Sequence, residues 1–324
     1  MTANTQRVLG DQKVSALGFG CWAIGGPFSD TDGKPLGWGE VDDDESTLAI
    51  RRAMDLGVTF FDTADVYGAG RSERVLGRAI AGHRAEVVVA SKWGNVFDED
   101  TKVLTGDNAT VEYLNTAIRA TLDRLGTDYL DLYQLHIGPS VADAAALADG
   151  CEELIAQGLI RGYAWSTDDP ERVAAWATRP GCVAVQHECS VLHDAPEILA
   201  LCDQHGIASV NRTPLAMGLL GRRDHSRPAT GADIRAAAPE WLRFFDNGVP
   251  TPEWARRTDS LREILTADGR TLAQGALGWL WARSPRTIPI PGFRNVAQAE
   301  QNAGALAHGP LRPEQLTELA GLLD

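Results

Sequence analysis

The chain of 324 residues carries little positive charge: 30 lysines and arginines face 44 aspartates and glutamates, giving a net charge of −14. A surface this acidic argues against nucleic acids and anionic membranes as partners. Lysine is especially scarce, since only four of the 30 basic residues are lysines (Lys13, Lys34, Lys92 and Lys102). Arginine therefore supplies most plain positive charges, and a lysine at the end of a buried strand indicates a special role. A local arginine can still bind an anionic cofactor.

Cysteines are few, and long apolar runs are missing. The five cysteines are an odd number and form no Cys-x-x-Cys pair, which argues against a disulfide framework and favours reduced thiols. No apolar run approaches eighteen residues, and the N-terminal MTANTQRVLG has no apolar signal core. We therefore expect a soluble cytoplasmic protein.

Short apolar runs alternate with amphipathic helical segments along most of the chain. The eight runs are VSALGF near 14, VTFF at 58, EVVVAS at 86, LDLYQL at 130, IRGYAW at 160, CVAVQ at 182, IASVN at 207 and TIPIP at 287. This rhythm predicts an α/β fold, an eight-stranded parallel (β/α)8 TIM barrel, with a doubly wound open sheet as the alternative. No Pro/Ser-rich linker divides the chain, so residues 1–324 are predicted to form one barrel domain. Long loops are expected after strand 1 (GGPFSDTDGKPLGWGE) and after strand 7 (Arg222 to Arg257).

Polar residues follow several of the predicted strands. Asp62 comes directly after VTFF, Tyr67 lies in the loop beyond it, Lys92 follows VVVAS, and His136 follows LDLYQL. Each of these residues alone could have a purely structural role: Asp62 as a cap, Tyr67 as a packed loop residue, Lys92 as a strand-end lysine and His136 as a core histidine. In a barrel, however, the carboxyl ends of the strands meet at one face, where active sites lie. Their joint occurrence on consecutive strands favours a shared site.

These four side chains make a plausible device for proton transfer. A phenol with a pKa near 10 is a weak acid at neutral pH, and a neighbouring ammonium stabilises the phenolate and lowers that pKa. A carboxylate keeps the ammonium charged, and an imidazole can orient a substrate oxygen. The set is suited to protonating an oxyanion as it forms, as in the reduction of a carbonyl group by hydride.

The stretches FFDTADVYG, VVVASKW and LDLYQLHIG resemble the aldo-keto reductases, and the resemblance extends from VSALGFGCW to IPIPGFRNVAQAEQNAGAL. It implies an eight-stranded barrel and an NADP(H)-dependent oxidoreductase without metal. It also implies that Tyr67 is the general acid in reduction, that Lys92 and Asp62 lower its pKa, and that His136 orients the carbonyl group. The substrate is then a small-molecule aldehyde or ketone.

The same resemblance implies cofactor contacts at the strand ends, in the PLAMG turn and at the start of a late helix. The implied residues are Gly20, Trp22, Asp62, Ser166, Thr167, Gln186, Arg212, Pro214, Leu215, Gly218, Gly292, Arg294, Gln298 and Asn302. Helix N-termini attract phosphates and Arg294 can bind a 2′-phosphate, which favours NADP over NAD. Two positions depart from the family pattern: Thr167 stands where Asn is usual, and Cys189 where many members have Tyr.

Aromatic residues and the two long loops are predicted to form the walls of the substrate pocket. Trp22 and Trp93 are the expected walls, beside Tyr67 and His136, because long loops after barrel strands set substrate choice on this fold.

Three further motifs do not indicate a binding site. GFGCWA, residues 18–23, matches a dinucleotide fingerprint, but the following IGGPFSDTDGKP cannot begin the helix that this motif requires. His187, Cys189 and His193 are close in sequence, yet their spacing matches no standard zinc site, so no metal is predicted. The acidic VDDDES is interpreted as a helix N-terminal cap cluster.

The sequence thus predicts NADPH-dependent reduction of an aldehyde or ketone, or the reverse oxidation of an alcohol. Two rivals remain: an NADP-binding regulatory subunit that senses redox state with little turnover, and a barrel aldolase that uses Lys92 as a Schiff-base nucleophile. The sequence is also compatible with a homo-oligomer.

Overall fold

The computed structural model describes residues 5–221 and 228–323. Eight parallel strands, which we label β1 to β8, form its central sheet: Gly18–Gly20, Phe60–Asp62, Val88–Trp93, Leu132–Leu135, Tyr163–Ser166, Cys182–Glu188, Ala208–Arg212 and Thr287–Pro289. Each strand pairs with the next one along the chain. A parallel bridge between Gly20, at the end of β1, and Gly292, three residues beyond β8, brings the two outer strands together and closes the sheet at this end. The predicted (β/α)8 barrel is therefore confirmed, and the open sheet is excluded.

Within residues 5–221 and 228–323, twelve α-helices surround or cap the barrel. They are α1 Asp43–Asp55, α2 Arg71–Ile80, α3 Val111–Leu125, α4 Val141–Ala156, α5 Pro170–Ala177, α6 Pro196–His205, α7 Ile234–Ala237, α8 Pro252–Leu265, α9 Leu272–Arg283, α10 Val296–Ala303, α11 Ala305–His308 and α12 Pro313–Leu323. The acidic cluster before α1 is a cap, as predicted, because the Asp42 side chain accepts from the backbone amides of Asp44 and Glu45. In the described segments, no helix is long and apolar enough to cross a lipid bilayer.

Side chains alternate between the barrel interior and the helix layer along each strand. Phe60, Ala90, Leu132 and others at even-numbered positions fill the interior, and Phe61, Val89 and other odd-numbered positions pack under the helices. Because the interior residues at the carboxyl ends are polar, this alternation brings their side chains together at one face.

Two hairpins were not anticipated from the sequence. Gln6–Leu9 and Gln12–Ser15 pair antiparallel, and their Leu9 and Val14 belong to the apolar cluster inside the barrel. The predicted first strand VSALGF is therefore divided between this hairpin and β1. The second hairpin, Asn95–Asp98 with Val103–Asp107, follows β3 directly.

The two long loops lie where the sequence predicts them, with one change of boundary. The loop after β1 begins with a short 3-10 turn at Trp22–Ile24 and continues to the start of α1. Of the loop after β7, residues 222–227 lie outside the described residues. The remainder contains α7 and the strand pair Phe245–Asp246 and Val249–Pro250. It ends before the predicted Arg257, because Pro252, at the first turn of α8, begins a helix.

Candidate active site

A cavity of about 820 Å³ opens at the carboxyl ends of the barrel strands. Residues from β1, β2, β5, β6 and β7 line it, together with His136 just after β4, the loop after β7 and the segment around the start of α10. Tyr67 and His136 lie on its wall near Asp62, and Arg294 lies at the α10 end of the cavity. It is therefore an elongated site that joins the four predicted strand-end groups to the predicted phosphate-binding residues.

Asp62, the last residue of β2, lies almost fully buried at the base of this cavity. Its Oδ1 accepts from Lys92 Nζ at 2.5 Å, and its Oδ2 accepts from Gln134 Nε2 at 2.7 Å and from Gln186 Nε2 at 2.8 Å. Both carboxylate oxygens are thus engaged by inward-facing residues of neighbouring strands. Buried charge is tolerated only when it is paired and hydrogen-bonded in this way.

Lys92, on β3, is fully buried and directs its ammonium group at three oxygens. Nζ donates to Asp62 Oδ1, to the Thr63 carbonyl at 2.9 Å and to Tyr67 Oη at 3.4 Å. Burial is the largest single effect on the pKa of Lys92 and lowers it, but the charge of Asp62, the neighbouring Tyr67 and the hydrogen bonds to both together raise it by more, so the net pKa is raised. The ammonium therefore stays charged beside the phenol.

Tyr67 reaches the cavity from the loop between β2 and α2. Burial raises its pKa more than the nearby Lys92 lowers it, so the net pKa is above the ordinary value. Lys92 acts in the predicted direction, but Asp62 raises the pKa of Tyr67 and desolvation is the largest effect, so the predicted lowering of that pKa is not supported. Tyr67 is consequently a phenol at neutral pH and can donate its proton.

His136 follows β4 and packs edge-on against the Tyr67 ring, with ring centroids 5.8 Å apart. Burial, followed by the charges of Lys92 and Arg212, keeps its pKa well below the usual range. The imidazole is therefore neutral. Its Nδ1 lies 3.2 Å from Asn95 Nδ2, and in the described part of the chain Nε2 has no hydrogen-bond partner.

A sharp turn positions Tyr67 over Lys92. Gly68, Ala69 and Gly70 all have positive φ angles, and they lead directly into α2. At Gly68 a Cβ atom would lie 1.8 Å from the carbonyl oxygen of Gly25, so only glycine fits. The first loop therefore packs directly on the turn that carries the phenol.

Arg212, at the end of β7, lies in a cluster of paired charges on the cavity wall. Its guanidinium contacts Asp168 closely and lies 3.9 Å from Glu188, whose other carboxylate oxygen accepts from Arg243 at 2.5 Å. The Glu188 amide also donates to Asp168 at 2.7 Å. Arg243 comes from the long loop after β7, so this ion-pair cluster ties that loop to the barrel.

The far end of the cavity is built around the start of α10. Gln298 accepts from the Arg294 amide at 2.8 Å, and Asn302 donates to the Gly292 carbonyl at 3.2 Å. The Arg294 guanidinium donates to the Glu40 carbonyl in the loop after β1. A Cβ atom added to Gly292 would come no closer than 3.9 Å to any atom, which leaves open space beside the backbone. Arginine, amide groups and exposed backbone are the donor types that bind phosphates.

Comparison with known proteins agrees with this arrangement. The model of the aldo/keto reductase family matches residues 16–324. The chain belongs to the aldo/keto reductase family. The family predicted from FFDTADVYG, VVVASKW and LDLYQLHIG is thereby confirmed.

Individual relatives of this aldo/keto reductase are similar over nearly their whole length. Pyridoxal reductase of Arabidopsis thaliana chloroplasts is 33% identical, with 95% of this chain and 83% of that protein covered. The uncharacterized oxidoreductase YqkF of Bacillus subtilis is 32% identical, with 95% and 92% covered. Among solved structures, the holo form of a Bacillus halodurans aldo-keto reductase has a TM-score of 0.78 at 28% identity, with 99% and 96% covered. A Klebsiella pneumoniae aldo/keto reductase in complex with NADP and acetate has a TM-score of 0.71 at 28% identity, with 98% and 95% covered.

Most of the site residues predicted from the sequence lie on the cavity wall. These are Gly20, Trp22, Asp62, Tyr67, His136, Ser166, Gln186, Arg212, Pro214, Leu215, Gly218, Gly292, Arg294, Gln298 and Asn302. Lys92 lies beneath the wall, in contact with Tyr67 and Asp62. Gln186 donates to Asp62 and to Gln134, so its amide group is engaged by the protein in this structure.

Besides Lys92, two predicted residues do not line the cavity. Trp93 is fully buried and packs against Tyr133, 6.2 Å between ring centroids, in the cluster under the helices. It follows the inward-facing Lys92, so it must point outward, and the prediction of Trp93 as a pocket wall is not supported. Thr167 is also buried, and its hydroxyl accepts from the Asp169 amide at the start of α5.

Several cavity residues were missed. Trp38 and Trp241 come from the two long loops; Trp22 lies 5.5 Å from Trp38, 6.4 Å from Trp241 and 5.9 Å from Tyr67, between ring centroids. Asn95, Asp168, Glu188 and Arg243 also line the cavity. Gln134 does not line the cavity but holds Asp62 from beneath it, and it was detectable because it occupies an inward-facing position near a strand end. The loop residues carried no such signal, because loop position is not periodic.

Proposed function

We propose that this aldo/keto reductase reduces an aldehyde or ketone with NADPH, with Tyr67 as the general acid. The observation that carries the proposal is the position of the Tyr67 phenol: it lies on the cavity wall, 3.4 Å from the Lys92 ammonium and beside the neutral His136. A protonated phenol, a fixed positive charge and a free imidazole nitrogen therefore converge where a carbonyl oxygen would accumulate negative charge.

The cofactor proposal rests on the donors along the cavity. Arg212 and Arg294 supply positive charge, and the Ser166 hydroxyl together with the Gln298 and Asn302 amides supplies polar contacts. These groups suit an anionic dinucleotide in an otherwise acidic protein. The complexes of the Klebsiella pneumoniae relative with NADP and NADPH support the same choice. NADPH, when bound, supplies the hydride that adds to the carbonyl carbon.

In the proposed mechanism, His136 and Tyr67 orient the carbonyl oxygen and protonate it. His136 donates from Nε2 to that oxygen and orients it. As negative charge develops there, Tyr67 transfers its proton to it, and the resulting phenolate lies against Lys92. Asp62 keeps the ammonium in place, while Gln134 and Gln186 keep Asp62 in place. Trp22 and Trp241 cover the pocket and limit access of water.

The alternative aldolase role for Lys92 is disfavoured by its surroundings. A Schiff-base lysine must be a neutral amine that a substrate carbonyl can reach. Lys92 is fully buried, paired with Asp62 at 2.5 Å, and has a raised pKa. The alternative of an NADP-binding regulatory subunit predicts little turnover, so the experiment below distinguishes it from the proposed reductase.

The experiment compares the wild type with Tyr67→Phe in nucleotide binding and in turnover. NADPH and NADH affinities are measured by fluorescence, and NADPH oxidation is followed at 340 nm with pyridoxal, benzaldehyde, butanal and glyceraldehyde. We expect NADPH to bind more tightly than NADH. Because the phenolic proton is lost, Tyr67→Phe should lower kcat about 100-fold or more and leave NADPH affinity unchanged.

Tyr129→Phe is the matched control. The Tyr129 ring packs against Arg84 and Arg161 outside the cavity lining, so this variant should keep full activity. Undiminished turnover in Tyr67→Phe would overturn the assigned acid. Tight NADPH binding without turnover of any carbonyl compound would favour the regulatory role, and failure to bind either nucleotide would refute the cofactor assignment.

A further inference from the structure

Asn95 contacts a proposed catalytic group and is not explained by the mechanism above. It follows β3 as the first residue of the hairpin, on the cavity wall. Its side-chain nitrogen Nδ2 lies 3.2 Å from Nδ1 of His136. An amide nitrogen can only donate, so His136 Nδ1 must be the acceptor in this contact.

This contact determines which nitrogen of His136 carries the proton. A neutral imidazole has one N–H, and when one nitrogen accepts a hydrogen bond the other must be protonated. If Nδ1 accepts from Asn95, then Nε2 is the donor. In the described residues Nε2 has no partner of its own, so it is available to a ligand in the cavity.

We propose that Asn95 is a positioning residue that holds His136 in the Nε2–H tautomer, so that its imidazole donates to the substrate carbonyl oxygen. This inference rests on the proposed reductase function for its consequence in catalysis. The tautomer itself can be tested without any substrate.

Both partners are anchored to the barrel. The Tyr113 hydroxyl of α3 donates to the Asn95 carbonyl at 2.5 Å, and Asn95 pairs with Asp107 in the hairpin. The His136 amide donates to the Trp93 carbonyl at 2.9 Å, at the end of β3. The side chains therefore meet between two fixed backbones, which favours a single orientation of the imidazole.

The charges around His136 keep its imidazole neutral, and the contact with Asn95 then selects which ring nitrogen carries the proton. Lys92 and Arg212 are both positive, and Tyr67, whose ring packs against the imidazole, is a neutral phenol. Positive neighbours oppose protonation of a second ring nitrogen, so the imidazole stays neutral. A carboxylate in place of the Asn95 amide would instead demand a proton on Nδ1 and reverse the hydrogen bond.

The experiment combines nitrogen NMR of the imidazoles with kinetics. The protein, with its seven histidines labelled with nitrogen-15, is examined as wild type, Asn95→Leu and Asn95→Asp, and His136→Gln identifies the His136 signals. The wild type should show His136 as the Nε2–H tautomer. Asn95→Asp, which is nearly isosteric, should place a proton on Nδ1, and Asn95→Leu should give a mixture of tautomers.

In kinetics, Asn95→Leu should lower kcat about 10-fold while leaving NADPH affinity unchanged. The same substitution added to His136→Gln should lower kcat no further, because Asn95 acts through His136. A wild-type Nδ1–H tautomer, or an Nε2–H tautomer that persists in Asn95→Asp, would overturn the inference even if Tyr67 proves to be the acid. If no carbonyl compound is reduced, the proposed function fails, but the NMR experiment still tests whether Asn95 sets the His136 tautomer.

Discussion

Lys92 and Asp62 form a buried ion pair whose other donors and acceptors are satisfied by the protein. The carboxylate receives one ammonium and two amide donors, and the ammonium reaches a carboxylate, a carbonyl and a phenol. Such a pair stabilises only when every remaining lone pair and proton is used. The scarcity of lysine elsewhere fits this role, because an ammonium can contact three oxygens at one point while a guanidinium cannot.

Removing one partner of this pair should cost more than removing both. Asp62→Asn leaves a buried ammonium without its counter-charge and should lower the free energy of unfolding by about 3–5 kcal/mol. The double variant Asp62→Asn, Lys92→Met buries no charge and should be more stable than Asp62→Asn alone. Urea unfolding of the single and double variants measures this. Strictly additive losses would show that the two side chains are not coupled.

At the level of single elements, β2, β3 and β4 build the site by the alternation of a strand. Asp62, Lys92 and Gln134 occupy inward-facing positions at the carboxyl ends, above the apolar interior positions of the same strands. Trp93 and Tyr133 occupy the alternate positions and pack under the helices. A shift of one residue in register would exchange the two sets.

The turn that carries Tyr67 should be intolerant of any side chain at Gly68. Gly68→Ala places a Cβ atom against the Gly25 carbonyl at φ +62°, so it should lower stability by at least about 2 kcal/mol and reduce kcat by displacing Tyr67. Gly82→Ala is the matched control. At φ +83° with no atom within 4 Å it bears only the backbone cost, about 1 kcal/mol, and should keep full activity. Equal losses in the two variants would contradict the close approach.

Across the whole molecule, a net charge of −14 coexists with a cavity that contains several arginines. Arg212 and Arg243 are neutralised by Asp168 and Glu188, and Arg235 is paired with Asp233. The charges around the cavity are thus close to balanced, with Arg212, Arg235, Arg243 and Arg294 beside Asp62, Asp168 and Glu188, while acidic residues predominate over the chain as a whole. This distribution favours an anionic small molecule and disfavours polyanions.

The stability of the whole protein should fall at mildly acidic pH because of His187 on β6. Burial lowers the pKa of His187 to about 4, with its Nε2 against the Ser209 hydroxyl at 2.8 Å. The unfolded chain has a histidine pKa near 6.5, so it binds the proton first as the pH falls. The contribution of neutral His187 to the free energy of unfolding is therefore complete above about pH 6.5 and is lost as the pH falls from 6.5 to about 4.

At pH 5 this linkage amounts to about 2 kcal/mol. Urea unfolding of the wild type at pH 7.5 and pH 5 should show that loss in excess of the loss in His187→Gln, which cannot titrate. All other groups titrate in both proteins and cancel in the comparison. An identical pH dependence in the two proteins would rule out His187 as the source.

The local patterns of the chain were sufficient for the eight strands and the polar residues at their ends, whereas the closed barrel and the other predicted cofactor residues came from the resemblance to a known family. Period-two alternation and strand-end polarity are properties of consecutive residues, so Asp62, Lys92, Gln186 and Arg212 could be placed without coordinates. The boundary of VSALGF and the two hairpins could not, because short apolar runs do not show where a strand turns.

Contacts between segments far apart in the chain required the tertiary structure. Burial, which no local pattern measures, reversed the expected direction of the Tyr67 pKa. The tilted ring contact of Trp22 with Trp241, the ion pair of Arg243 with Glu188 and the contact of Asn95 with His136 depend on how loops meet across the barrel mouth. Such contacts arise from three-dimensional packing, and the spacing of residues along the chain carries no signal for them.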